Sequence, residues 1–294
     1  DYYSSLEPKE LTKFINIIKS AEKSISNLTN DFSEKEYEYR KQAKKMLILK
    51  RSIKKGQYVS EKDVEYKRAE TDCLEPLDID YLKGKKLNTD LKTDTILRKK
   101  YFSNKIIVIV VARSKSKRLP GKALLKITDK TMLEHLLIRL KKNNPDKKIL
   151  LCTTKDKSDN QLEKIGKRFK IDVFRGPIKN VLKRMMEGIK KYNHNIVVRI
   201  TGDDILIDSK YMDTAINYLL ENNLEYVDHK ALPSGTETEI FDRNILKLIT
   251  NTADDLEGTE YLTNYIKDNK LYFKIGSAPV SIKHKSNLRL TIDT

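Results

Sequence analysis

The stretch Ile106–Lys122, IIVIVVARSKSKRLPGK, ends in a loop that carries Arg113, Lys115, Lys117, Arg118 and Lys122 and no acid. Ser114, Ser116 and Gly121 are small, so backbone and hydroxyl groups can approach a ligand closely. Pro120-Gly121 marks a turn. A cationic loop of this kind suits a polyphosphate, because arginine grips phosphate bidentately and lysine acts as a point charge. Arg113, Arg118 and Lys122 are the candidates for that contact, with Ala112 and Ser116 beside them. A solvated basic loop after an edge strand has the same composition. Two carboxylates complete the candidate chemistry. Asp203 follows Ile196–Ile200 and Thr201-Gly202, and Asp293 ends the alternation Leu288, Leu290, Ile292. Both read as strand-end residues, and two carboxylates at strand ends can converge on one metal ion. The competing readings are an Asx turn for Asp203 and a terminal residue without a role for Asp293. Asp204 and Asp208 read as supporting groups or a helix cap. Arg175, before Gly176, and Arg199, inside a strand, must each either pair with an acid or reach a site.

These side chains need a scaffold that brings strand ends together. Ile106–Ala112 is seven apolar residues rich in β-branched side chains, the pattern of a strand buried on both faces. Further strands are predicted at Ile149–Cys152, Ile171–Phe174 and Ile196–Ile200. Helices are predicted over Met132–Lys142, Ser158–Phe169 (capped by Ser158 or Asp159), Val181–Tyr192 and Lys210–Leu220. This alternation predicts an α/β domain, a parallel sheet with helices on both faces. Ligands of such sheets bind beyond the carboxyl ends of the strands.

Composition narrows the partners. Lys+Arg 59 against Asp+Glu 42 gives a formal charge of +17 over 294 residues. That suggests anionic partners, although lysines spread along the chain also make a generic solvated surface. Cys73 and Cys152 form no metal or redox spacing, which fits a reducing cytoplasm. His135, His194, His229 and His284 show no ligand spacing. No apolar run approaches membrane length, and no signal peptide is visible.

V-A-R-S-x-S-x-R-L-P-G-K closely resembles the opening motif of cytidylyltransferases of the spore-coat-polysaccharide type, relatives of the CMP-sialic acid and CMP-Kdo synthetases. Four further matches follow in order: Phe174-Arg175-Gly176, Val198–Asp203, Leu232-Pro233-Ser234-Gly235 and Leu288–Thr294. The resemblance spans roughly Lys105 to Thr294 and implies a Rossmann-like nucleotidyltransferase. A sugar hydroxyl would attack the α-phosphorus of CTP, and pyrophosphate would leave. It further implies Arg113, Lys122 and Asp203 as catalytic groups and Asp203 and Asp293 as ligands of a magnesium cofactor. Ala112, Arg113, Ser116, Arg118 and Lys122 would hold the nucleotide, and Arg175, Arg199 and Glu239 the acceptor. Departures from the family pattern are Asn180-Val181-Leu182 for Asp-Val-Leu, Glu260-Tyr261-Leu262-Thr263, Glu237-Thr238-Glu239 for Asp-x-Glu, and Ile205 for proline; they bear on acceptor recognition.

Upstream, Ser5-Leu6-Glu7-Pro8 announces a helix, with Ser5 as its cap and Leu11, Phe14, Ile15, Ile18 and Ile25 on one face. D-x-x-x-S-L-E-P-x-E-L resembles the last barrel helix of sialic acid synthases. An amphipathic helix docking on its own chain has the same periodicity. Ser26–Lys45 reads as a charged linker able to become helical. Short strand-like pieces follow at Met46–Leu49, Tyr58-Val59 and Val64–Tyr66, with turns at Lys55-Gly56 and Lys83-Gly84. I-K-K-G-Q-Y-V-S-E-K-D-V-E-Y-K-R resembles the antifreeze-like SAF domain of those synthases, a small β-clip. Here Arg68-Ala69-Glu70 replaces its Arg-Pro-Gly, and Lys44-Lys45 stand at its paired arginines.

The expected organisation is therefore 1–45, a synthase barrel tail and linker; 46–103, a SAF domain; and 104–294, a cytidylyltransferase domain. The chain starts at Asp1 and stops at the Asp-Thr after which the family continues. An excerpt of a longer fused enzyme, incomplete at its C-terminus, is expected. Expected partners are CTP and an acidic, sialic-acid-like sugar, in surface polysaccharide precursor synthesis, with assembly as a homo-oligomer and without nucleic acid or membrane. The alternatives are a basic polyanion- or RNA-binding protein and an inactive scaffold.

Overall fold

The computed structural model describes residues 5–24, 32–116, 119–252 and 260–292. It divides into two compact units, Asp1–Lys41 and Gln42–Thr294. In the first, α1 (Pro8–Ser24) opens on Pro8, whose fixed φ suits a first helical residue. Ser5 lies outside the helix, and the Glu7 amide is satisfied by the Glu10 carboxylate at 3.0 Å. The helix buries none of its residues, so the stripe of Leu11, Phe14, Ile15 and Ile18 is exposed. Ile25 lies outside the described residues. In the charged linker, α2 (Glu34–Ala43) forms behind a reciprocal Ser33–Glu36 cap.

The second unit begins with the antiparallel pair β1 (Lys45–Leu49) and β2 (Val64–Arg68). Around it, extended segments meet through isolated bridges. The strand expected at Tyr58-Val59 is only such a bridge, Tyr58 to Lys86. Gly56 and Gly84 make the two expected turns at φ 82° and 68°, where a Cβ would be strained. Leu47, Leu49, Ile53, Leu77, Leu97 and Phe102 form the centre of a core of this segment's own.

The central sheet uses β3 (Ile106–Val111), β6 (Lys148–Thr154), β7 (Asp172–Gly176), β8 (Ile196–Thr201), β9 (Tyr226–Asp228), β10 (Glu239–Asp242) and β11 (Ile275–Ser277), in the order β11-β9-β10-β8-β3-β6-β7. A small hairpin, β4 (Lys126–Ile127) with β5 (Lys130–Thr131), stands apart. Val108, Val110 and Ala112 face α3 (Met132–Asn143), α4 (Asn160–Arg168) and α6 (Ser209–Glu221), within one buried cluster. Ile107, Ile109 and Val111 face α5 (Val181–Ile189), α7 (Arg243–Thr252) and α8 (Glu260–Asp268) in another. That two-sided burial is why the run from Ile106 carries no polar residue. The expectation of a parallel sheet holds for β8-β3-β6-β7 and for the edge pair β11-β9. β10 runs antiparallel to both β8 and β9, making the sheet mixed. The cap of α4 also differs: Asp159 sits at the N-cap but makes no capping bond there.

Residues 42–103 are locked to this sheet by buried polar contacts. Lys99 Nζ lies 2.6 Å from an Asp242 carboxylate oxygen and donates to the Leu224 carbonyl at 2.8 Å, with both charged residues buried. Asn223, in a left-handed conformation at φ 55°, accepts from the Lys99 amide and donates to the carbonyls of Glu75 and Leu97. Breaking a buried pair leaves an uncompensated charge. Lys99→Met should therefore cost about 3–5 kcal/mol of unfolding free energy in urea titration. The double change with Asp242→Asn, which removes the stranded charge, should recover at least half of that loss.

Candidate active site

The loop after β3 is shaped by one serine. The Ser114 carbonyl accepts from the amides of Ser116 (3.1 Å) and Gly121 (2.8 Å), curling the basic segment back on itself. Gly121 takes φ 72° and starts the helical turn Lys122–Leu124. The Ser114 amide and hydroxyl are tied to the Asp159 carboxylate (2.7 Å) and the Ser158 carbonyl (3.0 Å). Asp159, buried, also accepts from the Thr153 hydroxyl and the Thr154 amide and hydroxyl. Burial alone would raise its pKa; the hydrogen bonds from Thr154, Ser114 and Thr153 outweigh that and hold it below the usual aspartate value.

Across the β3–β8 register the chain turns at Gly202, whose amide donates to the Val111 carbonyl at 2.9 Å. A Cβ on Gly202 would stand 2.8 Å from the Ala112 Cβ, so only glycine permits this approach. The approach sets Asp203 against Lys122 in a short ion pair at the mouth of the sheet. Arg113, Ser116, Lys122, Ala112 and Asp203 line one cavity of ≈780 Å³. Arg118 and Asp293 lie outside the described residues. Asp204 lines the same cavity. Burial, with Asp203 and Glu237 nearby, pushes its carboxyl up to about 6, and it accepts from the Thr201 hydroxyl. Asp208 caps α6 through the Lys210 and Tyr211 amides, as expected of a helix cap.

The far wall comes from the antiparallel strands. Arg199 on β8 stands opposite Glu239 on β10 and pairs with it at 2.6 Å. Tyr226 and Thr263 hydroxyls bond the other Glu239 oxygen. Two of the three predicted acceptor residues therefore reach the cavity, as a pair. Arg175 does not. Its three guanidinium nitrogens are taken up by the carbonyls of Thr154 and Asp156 and the side chains of Asn160 and Glu163, fastening the turn between β6 and α4. A strand-end arginine beside an acid on the preceding helix is satisfied locally before it can reach the cavity.

The last described segment, Leu288–Ile292, is not the strand that its alternation predicts. It is an extended strap with one bridge, Ser234 to Arg289. Gly235, at φ 96°, lets it pass: a Cβ there would meet the Thr291 amide at 2.7 Å. The Thr291 hydroxyl lies 3.4 Å from the Asp203 carboxylate.

Sequence reasoning missed Arg184, Asp228, His229, Lys267 and Arg289, all on the cavity wall. Arg184 carried a signal, since it falls with Val181, Met185 and Gly188 on the apolar stripe of α5. Asp228 and His229 follow a strand too short to recognise, and neither Lys267 nor Arg289 stands out among the many cations.

A family model described as cytidylyltransferase matches residues 107–294. The chain belongs to the cytidylyltransferase family. An uncharacterised protein of Methanocaldococcus jannaschii is 39% identical over 191 residues, covering 65% of this chain and 79% of the relative. The spore coat polysaccharide biosynthesis protein SpsF of Bacillus subtilis is 28% identical over 197 residues, 65% of this chain and 82% of that one. A solved cytidylyltransferase from Leptospira borgpetersenii superposes with a TM-score of 0.61 at 32% identity, covering 65% of this chain and 82% of that one. The cavity is thus that of a nucleotidyltransferase, with the cationic loop and Asp203 on its β3–β8 side.

Asp159 gives this cytidylyltransferase a pH dependence that can be measured. Its folded pKa is depressed, so its contribution is fully present above the unfolded value of about 3.9 and is lost as pH falls through the lower folded value. Asp159→Asn should lower unfolding free energy at pH 7 by roughly 2 kcal/mol, the scale of a lost charged hydrogen bond. The gap from wild type should narrow as acid titration enters that window. Parallel pH profiles of the two proteins in urea unfolding would show that Asp159 does not hold the loop.

Proposed function

We propose that the enzyme transfers CMP from CTP to a sugar acid of the nonulosonic type, releasing pyrophosphate, in the synthesis of surface polysaccharide precursors. The observation that carries this reading is the junction of the basic loop and Asp203 in one cavity at the strand ends. A triphosphate entering there meets Arg113 and Lys122, and Arg118 belongs to the same assignment. Lys122 then exchanges the Asp203 carboxylate for a phosphate oxygen, which frees Asp203. Negative charge grows on the leaving pyrophosphate as the acceptor hydroxyl attacks, and fixed cations around it stabilise that change more than the ground state.

Among the described residues no group of three or more His, Cys, Asp and Glu side chains is placed to hold a metal. A magnesium ion does not need one, because it binds through one or two carboxylates together with phosphate oxygens and water. The hard oxygen donors of Asp203, and of Asp293 by assignment, suit it. Magnesium, when bound, neutralises phosphate charge and orients the triphosphate. The chain's own part is to hold Asp203 still, through Gly202 behind it and Thr291 in front.

The acceptor half carries Arg199, Lys230, Lys267 and Arg289, of which Arg199 pairs with Glu239 and Lys267 with Asp228; this mixed polar wall suits a sugar that bears both hydroxyls and a carboxylate. Glu239, fixed by Arg199, Tyr226 and Thr263, is an acceptor for a sugar hydroxyl. Residues 46–103 we assign as a SAF-type module of a fused synthase, on the motif resemblance and the small β-rich core. Both cysteines are free and buried, and no helix among the described residues is long and apolar enough to cross a membrane. The free, buried thiols support a reducing, cytoplasmic setting.

A thermal-shift screen of nucleoside triphosphates, with and without magnesium, tests the reading. CTP with magnesium at a hundred times its dissociation constant should add about 2.7 kcal/mol of stability, and ATP and GTP should add much less. Equal stabilisation by all three would sink the cytidine assignment. Asp203→Asn should keep the fold and abolish magnesium-dependent pyrophosphate release.

A further inference from the structure

We propose that Arg184 is a phosphate-binding residue of this cavity, contacting the pyrophosphate end of the nucleotide from below; the identity of the anion rests on the function proposed above. Arg184 is 1% exposed, among the largest fully buried side chains of the protein, yet it lines the cavity beside Arg113. It sits on the apolar stripe of α5, where any hydrocarbon side chain of its size would pack. Its partners are neutral and few. Nη1 donates to the Pro177 carbonyl at 2.9 Å and grazes that of Ile178 at 3.5 Å, while Nε is buried without a partner. Among the described residues no carboxylate pairs with it.

A buried guanidinium without an acid is costly, and natural structures pair such charges. Here burial disfavours the charged form most and Arg113 adds to it, while Asp159 offsets only part of the effect. Arg113 and Arg184 both line the cavity, and the guanidinium of Arg184, with no carboxylate paired to it among the described residues, is left for an anion from outside. The side chain is also held: a Cβ at Gly176 would stand 2.8 Å from the Arg184 Cγ, so β7 runs directly against its stem. A guanidinium fixed by packing and by the Pro177 carbonyl keeps its remaining donors in one orientation. That preorganisation favours bidentate capture of a phosphate.

Calorimetric titration of the whole chain with inorganic pyrophosphate, CTP and cytidine tests this. Arg184→Met should weaken pyrophosphate and CTP by at least tenfold and leave cytidine unchanged. Arg184→Lys, which keeps the charge but not the fork, should fall between the two and secures the test if the methionine variant does not fold. Unchanged pyrophosphate affinity in a folded Arg184→Lys protein would overturn the proposal. Equal losses for cytidine and CTP would do so too, because they would mark a loosened cavity instead of a missing contact. The function and the residue are separable in the same data. Pyrophosphate binding that depends on Arg184, in a protein that fails to prefer CTP over ATP and GTP, would refute the cytidylyl assignment and sustain the anion site.

Discussion

The geometry of the cavity depends on how closely the ends of β3 and β8 can approach. Parallel neighbours normally keep their side chains apart at the strand ends, where loops diverge. Here Gly202 has no Cβ to meet Ala112, which is itself small, and its amide adds one more bond to the Val111 carbonyl. The two loops therefore leave the sheet side by side. One delivers Lys122 and the other Asp203, and they meet as an ion pair. A serine for Gly202 would force Ala112 away, and the cationic and anionic halves of the cavity would separate with no change in either charged residue. Ala112 and Gly202 thus govern chemistry they cannot perform.

What was legible in the chain follows from this arrangement. The strands β3, β6 and β8 and the helices between them announce themselves because each is buried on a full face or a full stripe, while β7, half-buried except at Gly176, shows only as a short apolar run. Residues at and beyond their carboxyl ends then read as site residues, and Arg113, Lys122 and Asp203 line the cavity, as do Arg199, read within β8, and Glu239, named on the family resemblance alone. The antiparallel insertion was not legible. β9 and β10 have three and four residues, too few for a period to show, and β10 runs straight into α7. Arg175 misled for a different reason. Position at a strand end makes an arginine available, but Glu163 and Asn160, one helix away, decide where it goes. Asp159 is the converse case: an acid suited to capping α4 instead ties the basic loop to β6.

The strap Leu288–Ile292 shows how a motif can be right about place and wrong about form. Its apolar alternation imitates a strand, yet Leu288 is exposed and a single bridge to Ser234 fixes the register. Gly235, whose left-handed backbone lies against Leu290 and Thr291, lets it approach, and backbone bonds between Ser234 and the Leu288 carbonyl and Leu290 amide hold it. The result is that Arg289 and Thr291 reach the cavity from a segment with almost no sheet bonding of its own.

Residues 42–103 carry the argument one step further. Their buried contacts with the sheet converge on the Asn222-Asn223 turn and on Asp242, which ends β10. The other end of β10 is Glu239, opposite Arg199. A strand of four residues has little stability of its own, because each end supplies most of the other's support. Lys99, placed 2.6 Å from the Asp242 carboxylate, therefore anchors the strand that holds Glu239 against Arg199. The acceptor wall is steadied by a segment that contributes no side chain to the cavity, whereas the Lys122–Asp203 side is built from β3, β8 and their loops, with Asp159 tying the basic loop and Thr291 beside Asp203. The two halves of the site thus draw their rigidity from different parts of the chain.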